Sequence, residues 1–240
     1  MRIDSLFAQM IYRGIFLVLS AGAVALTFAG SDGFNAGTFL YYTSWSNWLI
    51  FAVMIAVFAG TVKRYARGET HGHNEALRFL KANATVLIFV TFAVYAFVLP
   101  DAPLIARADY WTDISNLLKH FICPLMFVFD WILFDAHGIV KVSWPFKGLI
   151  LPLIYCIAVE ARAGIYAGIS GGTIPEAELG DYFPYFFLDF QTLGVGGLFM
   201  WIGILICVFT ALGFVVFGVD KIGCAPKRRA ITAEAEETAA

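Results

Sequence analysis

His120 is the residue of this sequence whose chemistry is hardest to explain by packing alone. Asp113, Asn116 and His120 are spaced i, i+3 and i+7, so a helix places them on one face. His120 then lies about 10 Å below the start of that helix, inside a stretch long enough to cross a membrane. An imidazole moves protons near neutral pH, whereas capping and packing need no imidazole. Ionisable residues inside membrane segments are candidates for function, and Pro124 predicts a kink beside His120.

Other polar residues are expected at a similar depth, near the outer surface. Thr43 and Asn47 open a neighbouring apolar stretch, and Glu160 and Arg162 close one that runs in the opposite direction. Together with the face that carries His120, they are expected to converge on a polar pocket open to the outer leaflet. A structural interpretation stays open for each: Thr43 can cap its helix, Asn47 can hold helices together, and Glu160 and Arg162 can form an ion pair.

Two segments echo each other. YYTSWSNWL (41–49) and YWTDISNLL (110–118) share Tyr, Thr, Ser, Asn and Leu at matching positions, five identities in nine, which is too few to establish a duplication. Both segments open stretches expected to run inward from the outer surface, with Tyr and Trp at the interface. Asn47 and Asn116 then lie one turn deeper, and the favoured interpretation is a polar pocket shared by the two helices that these segments open.

The composition identifies the elements that carry these residues. Of 240 residues, 60% are hydrophobic and only 14% are charged, against roughly 25% charged in soluble domains. This excludes a water-soluble enzyme, a nucleic-acid binder and a disordered protein. Long apolar runs predict an all-α polytopic membrane protein with six transmembrane helices. They are centred near residues 11–30, 40–62, 82–100, 113–135, 146–168 and 196–218.

The distribution of Lys and Arg predicts the orientation. Thirteen of the 16 lie on one side of the spans, Arg107 and Arg162 lie on the other, and Lys119 lies within span 4. Cytoplasmic loops carry excess positive charge, so both termini are predicted to be cytoplasmic, in the cell (inner) membrane. Residues 1–220 are predicted to form one six-helix transmembrane domain, and residues 221–240 a disordered cytoplasmic tail. The cysteine spacing predicts neither a disulfide framework nor a metal site, and no cofactor is predicted.

Three segments together resemble a known family: YYTSWSNWL at 41–49, NLLKHFICPLMFVFDWILFD at 116–135 and PYFFLD at 184–189. The resemblance is to the bacterial Pr6Pr six-span membrane proteins, and it covers most of residues 10–220. More distantly, the sequence is similar to the eukaryotic androgen-induced (ADTRP-like) family. Those relatives are hydrolases of esters that join a fatty acid to a hydroxy fatty acid (FAHFA hydrolases).

The resemblance implies a catalytic pair. It implies Thr43 as the nucleophile and His120 as its partner, with Asn116 four residues before that histidine. It also matches an acidic residue of the family to Asp130.

The segment before the last span is matched less closely. The family's Tyr-Pro-Phe-Leu-Glu corresponds to Tyr185–Asp189, so Tyr185 and Asp189 become candidate pocket residues. Phe186 stands where the motif has Pro, and Pro124 follows the histidine by four residues where the eukaryotic spacing is five.

The leading hypothesis is therefore a lipid-ester hydrolase. His120 would take the proton of Thr43 and return it to the leaving alcohol, while Asn47 or Asn116 stabilises the oxyanion. The alternative is a non-catalytic lipid-binding, transport-like or structural membrane protein. Membrane lipids are the expected partners, a fatty-acid ester is the expected substrate of the hydrolase, and the oligomeric state stays open.

Asp130 is expected to serve a different purpose. Ten residues separate it from His120, which places it about 15 Å deeper and roughly 80° away from the face of that histidine. It therefore cannot orient the imidazole. An ion pair with Lys63, Arg64 or Arg13 is the favoured role.

Overall fold

Six apolar helices make up most of the chain. The computed structural model describes residues 3–30, 33–34, 36–69, 74–97 and 111–238. Six helices within these ranges are long and apolar enough to cross a membrane, which confirms the predicted all-α class with six transmembrane helices. Their bounds are Leu6–Phe28 (α1), Tyr42–Arg67 (α2), Glu75–Phe97 (α3), Ile114–Phe134 (α4), Ile150–Ile169 (α5) and Phe190–Thr238 (α6).

Short elements connect the long helices. A two-residue antiparallel pairing joins Ala29–Gly30 to Gly33–Phe34 after α1. A 3-10 helix, Ala36–Leu40, leads into α2, and a single helical turn, Trp144–Lys147, precedes α5. The segment between α5 and α6 contains a 3-10 turn at Glu176–Glu178, a helical turn at Leu179–Tyr182 and a 3-10 turn at Phe186–Leu188.

A π-helical turn, Leu118–Ile122, interrupts α4 between two α-helical segments. Pro124 explains it, because proline has no N–H and its ring clashes with the carbonyl of the residue four positions earlier, here His120. The helix widens instead, and the N–H of Cys123 bonds to the carbonyl of Leu118, five residues back. The kink predicted beside His120 thus takes the form of a π turn that contains His120.

α3 is the most buried of the six helices, because α2, α4 and α6 all pack against it. One apolar core lies among α1, α2, α3 and α4 and includes Phe16, Ile50 and Phe127. A second core lies among α2, α3, α5 and α6 and includes Tyr155 and Leu188. Since α2 and α3 belong to both cores, they join the two halves of the bundle.

Gly194 breaks the start of α6. Its φ of 67° and ψ of 168° are a backbone conformation that is open essentially to glycine alone. Beyond Gly194 the backbone stays helical as far as Thr238, with no break at residue 220. The division into a membrane domain of residues 1–220 and a disordered tail of residues 221–240 stays a prediction.

Candidate functional site

A small cavity of about 60 Å³ lies among α2, α3, α5 and α6, near the first turn of α2. Aliphatic and aromatic side chains form most of its lining, and six of the lining residues carry a hydroxyl group: Tyr42, Thr43, Thr91, Tyr95, Tyr155 and Tyr185. A mainly apolar wall with a few polar groups is the usual construction of a site for an apolar ligand that carries one polar function.

Thr43 is half-buried and lies in the first turn of α2. It does not cap that helix, because the N-cap position is Tyr41, which makes no side-chain capping hydrogen bond. The hydroxyl of Tyr185 interacts with the Thr43 side chain, and the Tyr185 ring stacks on that of Phe187. Burial raises the pKa of Tyr185, so its hydroxyl stays protonated at neutral pH. Thr43 therefore faces a phenol that can donate a hydrogen bond.

His120 is buried and lies behind Tyr95, outside the lining of the cavity. The two rings stack face to face, with centroids 3.5 Å apart and planes 4° apart. No hydrogen bond joins His120 to Thr43, both of which lie in the described part of the chain. Tyr95 is a residue of this site that the sequence did not reveal, because an aromatic residue in an apolar span is most often a packing residue.

The backbone determines which tautomer His120 adopts. Its Nδ1 lies 3.3 Å from the carbonyl oxygen of Asn116. A carbonyl only accepts, so Nδ1 must carry the hydrogen in the neutral ring. Nε2 is then the unprotonated nitrogen, and it is the one that can act as a base.

Asn47 bridges α2 and α4. Its side-chain nitrogen donates to the carbonyl of Thr43 at 2.8 Å and to the carbonyl of Lys119 at 3.0 Å. Both of its N–H bonds are therefore engaged, which leaves none for an oxyanion. The bridge places the backbone of Thr43 level with the residue that precedes His120, on a neighbouring helix.

The remaining predicted residues do not converge with this group. Arg162 donates to the carbonyl of Asp181 at 2.8 Å and covers the ring of Tyr182 at 4.5 Å, so it does not pair with Glu160. Both carboxylate oxygens of Glu160 are buried and find no hydrogen-bond partner among the described residues. The ion pair considered for these two residues is therefore wrong.

Two further candidates have local roles near helix starts. Asp189 caps α6, because its carboxylate accepts from the backbone N–H of Thr192 at 3.0 Å and from its hydroxyl at 2.6 Å. Asn116 is half-buried, and its side chain makes no hydrogen bond within the described ranges, although its backbone N–H bonds to Asp113.

A buried ionic cluster occupies the opposite end of the bundle, where α1, α3 and α4 meet. Asp130 accepts a hydrogen bond of 2.8 Å from Nε of Arg13 and also pairs with Lys81, and none of these three side chains is more than 2% exposed. Arg13 bonds to Thr61 of α2 at 2.6 Å, and Lys81 pairs with Asp135 at 2.5 Å. The expected ion pair of Asp130 with Lys63, Arg64 or Arg13 is thus formed, with Arg13 as the partner. Lys81, which lies just before the predicted third span (82–100), is instead a buried residue of α3.

The six helices are those of a multi-pass integral membrane protein. No known protein family, curated protein or solved structure matches the chain. The resemblance to the Pr6Pr proteins therefore stays a prediction, and so do the catalytic roles that it implies for Thr43 and His120.

Proposed function

We propose that this membrane protein is a lipid-ester hydrolase with Thr43 as nucleophile and His120 as base. The two hydrogen bonds of Asn47 are the observation that carries the proposal. One amide group bonds to the carbonyl of Thr43 and to that of Lys119, next to His120. Thr43 and His120 therefore lie on neighbouring helices at one depth, as proton transfer between their side chains requires.

The size of the cavity limits which part of a substrate it can hold. About 60 Å³ holds roughly four water-sized groups, which suits an ester group and the first methylenes of a chain. The rest of an acyl chain would lie along the outer faces of α5 and α6, which expose large apolar side chains such as Ile157, Ile165 and Phe199. An ester of a long-chain fatty acid is the substrate class that fits both surfaces.

The proposed reaction proceeds in two halves. Nε2 of His120 removes the proton of Thr43 as the threonine oxygen attacks the ester carbonyl, and the imidazolium then protonates the departing alcohol. A water molecule, deprotonated by the same imidazole, releases the fatty acid from the acyl-threonine, and Thr43 regains its proton. Tyr185, rather than Asn47, donates to the oxyanion, because its protonated hydroxyl faces Thr43. Tyr95 has to rotate away from His120 before the first proton transfer.

Tyr95 also favours a second candidate function, lipid binding without turnover. Its ring contacts the cavity on one side and His120 on the other. If Tyr95 keeps this position when a lipid is bound, the imidazole does not reach the ester. The cavity would then hold a lipid without cleaving it.

Thr43→Val and Thr91→Val form a matched pair, since each removes the hydroxyl of one threonine that lines the cavity, at nearly constant volume. The purified variants, with His120→Ala, would be incubated with a fatty-acid ester of a hydroxy fatty acid, and the released acid measured by mass spectrometry. We expect Thr43→Val and His120→Ala to lower the rate by about 100-fold or more, and Thr91→Val by less than about tenfold. Full activity in Thr43→Val or His120→Ala would contradict the hydrolase proposal. Binding without release by the unmodified protein would favour the second function.

The proposed location is the cell (inner) membrane, with both termini in the cytoplasm. The proposal rests on the 13 of 16 basic residues that lie on the side of the termini. A C-terminal fusion to an enzyme that is active only after export should be inactive. An active fusion would show that the C-terminus lies outside the cytoplasm and would contradict the proposed orientation.

A further inference from the structure

A second and larger cavity lies at the end of the bundle opposite the Thr43 cavity. Its volume is about 530 Å³, and α1, the last turns of α2, the first turns of α3 and residues after α4 surround it. Thr43 and Lys63 are 20 residues apart on α2, so the two cavities are separated by about 30 Å. Six cationic side chains line this second cavity: Arg13, Lys63, Arg64, Arg67, Arg78 and Lys81.

The lining carries a large excess of positive charge. Among the described residues that line the cavity, two carboxylates, Glu69 and Asp135, accompany the six cations, which gives these residues a formal charge of +4. Asp130 lies behind the cavity floor and lowers this to +3. The two lining carboxylates are already paired: Glu69 lies 3.7 Å from Arg67, and Asp135 bonds to Lys81 at 2.5 Å.

Ion pairs and hydrogen bonds hold the floor of the cavity in place. Arg13 and Lys81 are each 2% exposed, and Asp130 holds both of them. Arg13 is further fixed by its bonds to Thr61 and Gln9 at 2.6 and 3.1 Å. An anion that enters therefore meets cations that are already in place, so little side-chain entropy is lost on binding.

The general preference for cations on the cytoplasmic side accounts for basic residues at this end of the bundle. It does not account for their convergence from three helices on one cavity, nor for the burial of Arg13 and Lys81 in its floor. Basic pockets between membrane helices are a known construction for binding anionic headgroups.

We infer that this cavity binds a phosphate group that carries two negative charges, presented either by a lipid headgroup or by a soluble phosphate monoester. Four of the six cations are arginines, whose planar guanidinium groups bond to phosphate oxygens in pairs. A dianion neutralises the excess charge better than a phosphodiester with one charge. The volume also leaves room for the group to which the phosphate is attached. The site is separate from the proposed hydrolase site and does not depend on it.

The test uses two probes with the same headgroup chemistry. Glycerol 3-phosphate is the soluble probe, and phosphatidic acid in mixed micelles is the lipid probe, with phosphatidylcholine and sodium chloride of equal ionic strength as controls. Thermal unfolding of the purified full-length protein is followed as each probe is added, because a ligand of the folded state raises the midpoint.

Two double variants remove the same charge in different places. Lys63→Gln with Arg78→Gln changes the cavity wall, whereas Lys141→Gln with Lys147→Gln removes two exposed cations outside it. We expect the half-saturating probe concentration to rise by about tenfold or more in the first variant and by less than about twofold in the second.

Each outcome decides the inference. A response to phosphatidic acid alone supports the lipid headgroup as the source of the phosphate, and a response to glycerol 3-phosphate supports a soluble source. The inference would be overturned if neither probe raised the unfolding midpoint beyond the effect of sodium chloride. It would also be overturned if the half-saturating probe concentration rose equally in the two double variants.

Discussion

Asp130→Asn should destabilise the protein more than any other single change in a charged side chain at the basic end of the bundle. The substitution keeps the shape of the side chain and removes the only fully buried carboxylate that contacts both Arg13 and Lys81 in the described ranges. Removing one partner of a buried ion pair costs about 3–5 kcal/mol, because the other charge is left in a medium of low polarity.

The neighbouring carboxylate sets the size of the effect. Asp135 remains 2.5 Å from Lys81 and 3.5 Å from Arg13, so neither cation loses every partner. We therefore expect the lower end of the range, about 3 kcal/mol. For a chain of this size that corresponds to a decrease in Tm of about 6–12 °C.

The assay is thermal unfolding of the purified protein in a single detergent, followed by tryptophan fluorescence. Asp135→Asn is the matched control, because this carboxylate is 19% exposed, and its loss should cost about 1 kcal/mol. Arg13→Gln combined with Asp130→Asn should be less destabilised than the sum of the two single variants, by about 1 kcal/mol or more. The stabilising role of the Arg13–Asp130 pair would be refuted if Asp130→Asn lowered Tm by less than about 2 °C, or if the effects of the two single variants were strictly additive in the double variant.

Three further predictions concern other parts of the molecule. Gly194→Ala should cost about 1–2 kcal/mol because of its positive φ, while Gly196→Ala, in open helical space, should be neutral or slightly stabilising; equal effects in thermal unfolding would contradict this. Glu160→Gln should raise Tm by about 2–4 °C, since it removes a buried carboxylate that has no hydrogen-bond partner among the described residues. An unchanged Tm would contradict this. The Asp220 carboxylate lies 3.8 Å from Nδ1 of His137 and raises the pKa of that imidazole. The stabilisation that the protonated His137 gives the folded state is therefore complete below about pH 6.5 and is lost as pH rises through the raised pKa. His137→Gln should therefore lower Tm at pH 6 more than at pH 9, and a difference independent of pH would contradict this assignment.

Run length predicted the number of helices, because a bilayer requires about 20 apolar residues per span whatever their packing. The ends of the helices were less predictable. α3 begins at Glu75 rather than near residue 82, and it therefore includes Arg78 and Lys81, which the apolar run leaves out. Glu75 in the first turn, where a carboxylate suits the helix dipole, was the signal of the earlier start. Burial of Lys81 was beyond prediction, since it depends on carboxylates from a different helix.

The sequence predicted the depth of the candidate site residues in the bundle, but not the direction in which each side chain points around its helix axis. Depth follows from the rise of 1.5 Å per residue, which predicted Asn47 in the same layer as His120, and Asn47 does bond to the carbonyl of Lys119 in the first third of α4. The rotation of each helix about its axis depends on packing, which the sequence does not state. Residues two apart on a helix point about 200° apart, so Glu160 and Arg162 had to face different surroundings. For the same reason the sequence did not predict that Tyr95 lies between His120 and the cavity.

The π turn explains why Asn47 of α2 bonds to the carbonyl of Lys119 in α4: the turn leaves that carbonyl without a backbone donor. In a regular α-helix the carbonyl of Lys119 accepts from the N–H of Cys123, and in a π-helix it accepts from residue 124. Cys123 donates five residues back instead, and Pro124 has no N–H, so Lys119 loses both backbone donors. A bare carbonyl inside a membrane costs several kcal/mol. The side chain of Asn47 removes that cost with its hydrogen bond of 3.0 Å.

Asn47 and Pro124 therefore act as one structural unit, although they belong to different helices. The proline creates an unsatisfied carbonyl, and the only side chain that satisfies it within the described part of the chain comes from the first turns of α2. That bond fixes α2 against α4 at the level of Thr43 and His120. Holding helices together and bringing Thr43 level with the residue before His120 are thus compatible explanations for Asn47, because its side chain bonds to both helices.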